Sequence, residues 1–258
     1  MTAALLAARG FTADPQALDG PWGFAAVLAG GYDEAKLSEG FGKTWTIMDP
    51  GVSIKPYPSG ILTHQSMDAM LSLVRKHDLA PERIAKIEFL AGKNIIEPIR
   101  YAFADNHLQA KFSMAALLSM IALYRRAGHR EFDDAKIRSP EFVAMQRKVL
   151  VINDPEIDAA GYDLIRSRIE VTTTDGSVLT EWADERYRGG PLKPFSDADL
   201  EEKFAVCTDV RLGPEQRAKV IETVGRISSL EDAGQFADMI RFDRSLPEKK
   251  NGLCAAAE

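Results

Sequence analysis

The chain has 258 residues, 45% of them hydrophobic, enough for one large core or two small ones. A formal net charge of −6 with no dense basic stripe argues against nucleic acid as a partner. No run of about 18 to 20 apolar residues predicts a membrane span, and two distant cysteines, Cys207 and Cys254, offer no disulfide framework, so a reducing, cytoplasmic setting is expected.

Residues 2–9 read as an alanine-rich helix stopped by Gly10, with no capping residue ahead of it and no basic stretch of the kind that opens a signal peptide. Asp14-Pro15 opens a short helical turn, Gly20-Pro21-Trp22-Gly23 is a loop, and a second helix covers 24–29 until Gly30-Gly31 breaks it. A further helical turn spans 33–37 and closes at Gly40-Phe41-Gly42. Residues 45–48 and 52–54 read as short extended pieces around Asp49-Pro50-Gly51. The proline-stiffened turn 56–60 then feeds an amphipathic helix with Met67, Met70, Leu71 and Val74 at helical spacing.

Residues 84–90 read as a strand of loose alternation, Pro98 marks a connection, and Asn106-His107 lies in a loop. Residues 112–126 predict a strongly amphipathic helix, ended by Gly128 with basic residues in its last turn. Ser139-Pro140 begins a helix that runs to about 148. Strands are predicted at 149–153 and 167–173, the latter joined to 178–182 through the hairpin turn Asp175-Gly176. Ser196 caps a helix to about Cys207, two more cover 214–228 and 229–241, and the tail from 246 reads as disordered. Strands in the middle and helices at both ends predict an α+β fold.

Chemistry concentrates in residues 54–70, IKPYPSGILTHQSMDAM. His64 falls at a helix N-terminus, where free N–H groups and the dipole favour anions. The same field lowers a histidine pKa and leaves a neutral ring able to take a proton. Lys55 is either a cation for an anionic substrate or a solvated lysine before proline. Ser59, Gly60 and Thr63 either donate to a carboxylate or simply make the turn and cap the helix. Lys111 is predicted to open a helix, where the dipole repels a cation, and so points to an anionic partner. Tyr57 reads as core, His77 as a helix C-terminal charge, and His107 and His129 as loop residues. No histidine, cysteine or carboxylate group has metal-ligand spacing and no glycine-rich phosphate loop follows a strand, so no metal or cofactor is expected.

Four segments carry a resemblance. Lys55-Pro56-Tyr57-Pro58-Ser59-Gly60, with Thr63-His64 and Met67-Asp68-Ala69, resembles a signature of the MmgE/PrpD family. Ala110-Lys111-Phe112-Ser113-Met114 is similar to its AKFS segment, which opens a helix, and Thr174-Asp175-Gly176 to its hairpin turn. Gly190-Pro191, then Pro194-Phe195-Ser196 with Leu200 and Lys203-Phe204, is similar to its exit into closing helices. The family includes 2-methylcitrate dehydratases, cis-aconitate decarboxylases and an iminodisuccinate epimerase.

The resemblance implies a cofactor-independent lyase or isomerase acting on a small di- or tricarboxylate, with dehydration of a 2-methylcitrate-like substrate favoured. His64 would move the proton. Lys55, with Ser59, Gly60, Thr63 and Lys111, would hold the carboxylate and the aci-carboxylate left by proton removal. The implied architecture is an α+β domain, 53–194, inserted between pieces of a helical domain, 1–52 and 195–245, with a tail at 246–258. On that pattern the chain opens inside the helical domain, most family catalytic residues lie upstream of it, and it works as a homodimer or with an N-terminal helical partner chain. The rival expectation is a non-catalytic C-terminal subunit or split-gene fragment that needs such a partner. Its mark would be an uncovered apolar face on helices within 1–30 and 196–241.

Overall fold

The computed structural model describes residues 1–209, 211–232 and 234–240, so the expected tail at 246–258 lies outside the described residues. The chain divides into two units, Met1–Gly51 and the part from Val52 onward.

The first unit holds three short helices, α1 (Thr2–Ala8), α2 (Phe24–Ala29) and α3 (Glu34–Ser38). Gly30 ends α2 in the left-handed conformation, and the Asp33 carboxylate caps α3 by accepting from the N–H groups of Ala35 and Lys36. None of these helices buries a residue. Leu5, Leu6, Phe11, Trp22, Val27, Leu28 and Trp45 are exposed, so burial of apolar surface contributes little here. One of two expectations fails in this unit. Asp14-Pro15 opens a short turn as expected, with Asp14 Oδ1 accepting from the Gln16 N–H and the Gly20 N–H donating to the Gln16 carbonyl, each at 2.9 Å. Residues 45–48, expected as extended, turn instead, with the Met48 N–H donating to the Trp45 carbonyl at 2.8 Å.

The second unit starts with a 3-10 turn, Ile61–Thr63, that runs into α4 (His64–Lys76). There follow β1 (Ile84–Ala91), α5 (Lys93–Ile96), α6 (His107–Ala110), α7 (Met114–Tyr124), α8 (Asp134–Ile137) and α9 (Pro140–Arg147). Next come β2 (Val149–Asn153), α10 (Pro155–Asp158), β3 (Ser167–Thr173) and β4 (Val178–Trp182), then α11 (Asp197–Thr208), α12 (Pro214–Gly225) and α13 (Gly234–Met239). The fold is mixed α+β. The four strands form one open sheet in the order β2-β1-β3-β4. β1 and β2 run parallel and the other two pairs antiparallel.

Strand β3 alternates cleanly, with Ser167, Ile169, Val171 and Thr173 buried. Alternation in β1 is loose in sequence because its pairing with β3 shifts register between Ile84 and Lys86. Ile87, Phe89 and Ala91 still reach the core, beside Met67, Met70, Leu73 and Val74 of α4. Each such large side chain contributes roughly 1.5–3 kcal/mol on burial. Ser66 and Ser167 tie α4 to β3 through a buried hydroxyl pair at 2.8 Å.

Helix α7 corrects the expected amphipathic helix at 112–126. Met114 through Ala122 are all buried, so it is a central helix packed all round. It stops at Arg125 in the left-handed conformation (φ 54°), which leaves Arg125 and Arg126 beyond the helix and gives Gly128 no part in ending it. At the other end of the unit, Ser196 and Asp199 cap α11 reciprocally. The helix expected at 214–228 ends at Gly225 and gives way to a 3-10 turn, Ile227–Ser229. α13 is shorter than expected, and Arg241 lies outside the described residues.

Candidate active site

The turn that leads to His64 is pinned by backbone at both ends. The Ile54 N–H donates to the Gly189 carbonyl at 2.8 Å, and the Gly60 N–H to the Lys111 carbonyl at 3.3 Å. Between them Lys55 Nζ donates to the Ser59 carbonyl at 3.1 Å and closes the turn on itself. Pro56 and Pro58 each fix a backbone φ within it.

His64 is the first residue of α4, where its sequence position predicts it. Its ring is fully buried, and among the described residues neither ring nitrogen has a hydrogen-bond partner. Burial is the main cause that lowers its pKa from 6.5 to about 4. The Ser59 carbonyl and Asp68 oppose that shift, while Lys55 and Arg188 add to it. The Ser59 carbonyl acts through proximity, without meeting hydrogen-bond geometry. The direction agrees with expectation, but exclusion of water rather than the helix dipole dominates.

The hydroxyls of Ser59 and Thr63 meet at 3.0 Å, and each also reaches the Met67 sulfur. Thr63 Oγ1 donates to the Gly60 carbonyl at 2.8 Å, so it does not cap α4, which has no side-chain cap at all. Lys111 is placed differently from expectation. It terminates α6, where a cation is favoured, and Ser113 caps α7 instead. The dipole argument for an anion at Lys111 therefore lapses. Asn106 and His107 form no loop either: Asn106 caps α6, and His107 Nδ1 sits 2.8 Å from Asp134 Oδ1. The structure thus gathers Lys55, Ser59, Gly60, Thr63 and His64 in one turn and helix start. Lys111 joins them through its carbonyl.

Three further residues surround His64. Tyr57, read as core from the sequence, is buried and donates its hydroxyl proton to Asp68 at 2.6 Å. Burial first, and Asp68 second, push the Tyr57 pKa well above its ordinary value. Arg188 completes the set, 3.2 Å from Asp68 and with its guanidinium over the rings of Tyr57 and Phe195. Asp68 was legible as the residue one helical turn after His64. Arg188 was not, since it stands 120 positions from Asp68.

Among the described residues no group of three or more His, Cys, Asp or Glu is placed to hold a metal ion. No described helix is long and apolar enough to cross a membrane.

The family described as the MmgE/PrpD C-terminal domain matches residues 57–227. Cis-aconitate decarboxylase of Mus musculus is 27% identical over 248 residues, which is 93% of this chain and 50% of that protein. Cis-aconitate decarboxylase of Homo sapiens is 26% identical over 245 residues, with the same shares of each chain. The chain spans about half the length of the curated relatives it matches.

Proposed function

The chain belongs to the MmgE/PrpD family, and from that premise we propose that it is a cofactor-independent lyase or isomerase that acts on a small di- or tricarboxylate by proton transfer at His64. One observation carries the reading: the buried imidazole has no hydrogen-bond partner among the described residues. An unsatisfied buried polar group costs about 1–3 kcal/mol, which a purely structural histidine avoids by bonding. With its pKa lowered to about 4, the ring is neutral near pH 7 and free to accept a proton. General-base assistance of this kind is worth about 10²–10⁴ in rate.

Proton removal next to a carboxylate leaves an aci-carboxylate, and Lys55 supplies the charge to hold it. In the closed turn Lys55 is bound to the Ser59 carbonyl. A substrate carboxylate that takes Lys55 from Ser59 would open the turn, and the donors of Ser59, Gly60 and Thr63 would then face the substrate, with Lys111 adding positive charge behind them. The relatives' name makes cis-aconitate the first substrate to offer. The motif resemblance adds 2-methylcitrate, whose dehydration it favours, and iminodisuccinate. Dehydration, decarboxylation and epimerisation share the first proton transfer. The reading includes an α+β domain at 53–194 between helical pieces at 1–52 and 195–245, assembled as a homodimer or with an N-terminal helical partner chain in the cytoplasm.

A second reading, a non-catalytic subunit that needs such a partner, is favoured by the apolar side chains left exposed throughout Met1–Gly51. Turnover assays of the full chain with those three substrates, run beside His64→Ala, separate the two. Turnover that disappears in the variant supports the enzyme. A folded chain with no turnover supports the subunit.

A further inference from the structure

Beside Tyr57 the second unit opens a cleft of about 630 Å³, a volume that suits a small organic ligand. Its walls are the outer face of α4, the loop at 125–131 and the face of α11 that carries Lys203 and Val206. His64 does not line it. The wall carries seven Lys and Arg residues against five Asp and Glu, in a chain whose formal net charge is −6. Local charge and global charge are therefore opposite in sign, which favours an anion at this place.

Most of the carboxylates in the wall are already committed. Asp68 is held by Tyr57 and Arg188, and Asp209 by Arg130. Asp199 belongs to the α11 cap. Glu131 is buried and accepts from Arg126 Nε and the Gly128 N–H, each at 2.8 Å, which fixes the arginine-rich loop in shape. Glu202 remains, beside Lys203 on α11. Among the described residues Arg75 and Lys203 make no ion pair, yet both face the same cavity. Partial burial first, then Lys203 and Lys111, hold the His129 pKa below its ordinary value. Arg125, Arg126, Arg130, Arg188 and Lys193 are each paired with a carboxylate, so Arg75 and Lys203 are the cations of the wall that an anionic ligand would stabilise. A single phosphate or carboxylate would leave most of the volume empty, so the complementary ligand bears several anionic groups.

We propose that this cleft binds a small, multiply charged anion, a polyphosphate or a polycarboxylate, through Arg75 and Lys203 with His129 beside them. Pro56, Tyr57 and Pro58 of the turn before His64 form one edge of the cleft, but neither Lys55 nor His64 lines it, and the proposal does not rest on the activity proposed above. Arg75 is exposed and Lys203 half-buried, so both tolerate substitution.

Calorimetric titration of the full chain at constant ionic strength, with inorganic tripolyphosphate in one arm and citrate in the other, tests the site. Saturable one-site binding of either anion is expected, weakened at least tenfold by Arg75→Glu with Lys203→Glu and unchanged by Lys55→Ala. If the double reversal unfolds the chain, Lys203→Gln alone serves, with several-fold weakening expected. Which arm binds identifies the source of the charge. Absence of saturable binding in both arms, wild-type binding by the folded variants, or loss of binding in Lys55→Ala would each overturn the proposal.

Discussion

The ring of Tyr57 stands edge-on to that of His64, with centroids 5.7 Å apart and planes at 71°, while its hydroxyl donates to Asp68 at 2.6 Å. One tyrosine therefore supplies apolar packing to the histidine and a hydrogen bond to the nearest carboxylate. Arg188 holds that carboxylate from the other side at 3.2 Å. His64 lies in the fields of Asp68 and Arg188 together, and these act on its pKa in opposite directions. Burial then decides the protonation state.

Replacing Asp68 with Asn removes the charge that raises the His64 pKa and keeps the Arg188 charge that lowers it. The pKa is expected to fall further below 6.5 than it does in the wild type. Arg188, one-third exposed at its side chain, loses its counter-ion, at a cost of about 1–3 kcal/mol. An NMR titration of the His64 ring together with urea unfolding checks both parts. A raised histidine pKa would show that Asp68 is not the balancing charge.

The depressed His64 pKa also fixes a dependence of stability on pH. The folded value, about 4, lies below the ordinary 6.5, so protons bind the unfolded chain first. The stabilisation is complete above about pH 6.5, declines as pH falls towards 4, and levels off below that. Each pKa unit corresponds to 1.36 kcal/mol, and roughly 2 kcal/mol is expected to be lost between pH 7.5 and 5. His129 acts in the same direction. The depressed carboxylates Asp175 and Asp184 act only in more acid solution. Unfolding free energies of wild type and His64→Ala across this window test the assignment, since the slope should shrink in the variant.

Legibility in the sequence followed the range of the interaction. The β3–β4 hairpin was readable because Asp175-Gly176 states its own turn, with Gly176 at φ 88°. The α9 start was readable from Ser139-Pro140, whose serine accepts from the Phe142 N–H. The four-residue helices α5, α6, α8 and α10 showed no period to read, although Asn106, Asp133 and Asp154 are caps that mark three of them. An apolar helix such as α7 shows its length but not that every face is covered. In the site, residues 55–64 were legible because they are contiguous. The burial of His64 and the arrival of Arg188 depend on packing between distant segments, which no local pattern encodes.

Gly189 tests how the turn is held. It has φ 83°, and a Cβ there would overlap the carbonyl oxygen of Ile54, the residue before Lys55. Neither a left-handed alanine nor that backbone overlap can be relieved by a side-chain rotation. Gly189→Ala is expected to cost roughly 2–4 kcal/mol and to displace Lys55. Gly60→Ala is the contrast: φ is −60° there, and the new Cβ would press on the flexible end of Ile99 at 3.3 Å and make ordinary contact with the Phe112 ring at 3.9 Å. That change is expected to cost less than about 1 kcal/mol. Urea midpoints of the two variants check the difference, and equal losses would deny Gly189 its anchoring role.

The first unit makes the strongest demand on something outside itself. Helices α1, α2 and α3 bury no residue, so their apolar side chains gain little from folding until another surface covers them. In solution the full chain is therefore expected to self-associate and to bind a hydrophobic dye. Val27 and Leu28 are 64% and 69% exposed, so Val27→Glu with Leu28→Glu should change stability by no more than about 0.5 kcal/mol. The same pair should lower association and dye binding together, because charge on an exposed helix opposes burial against any partner. Sedimentation velocity and dye fluorescence on both proteins decide the matter. A wild-type chain that sediments as a monomer and leaves the dye dark would mean that this apolar surface needs no cover, and would remove the observation that favours the subunit reading.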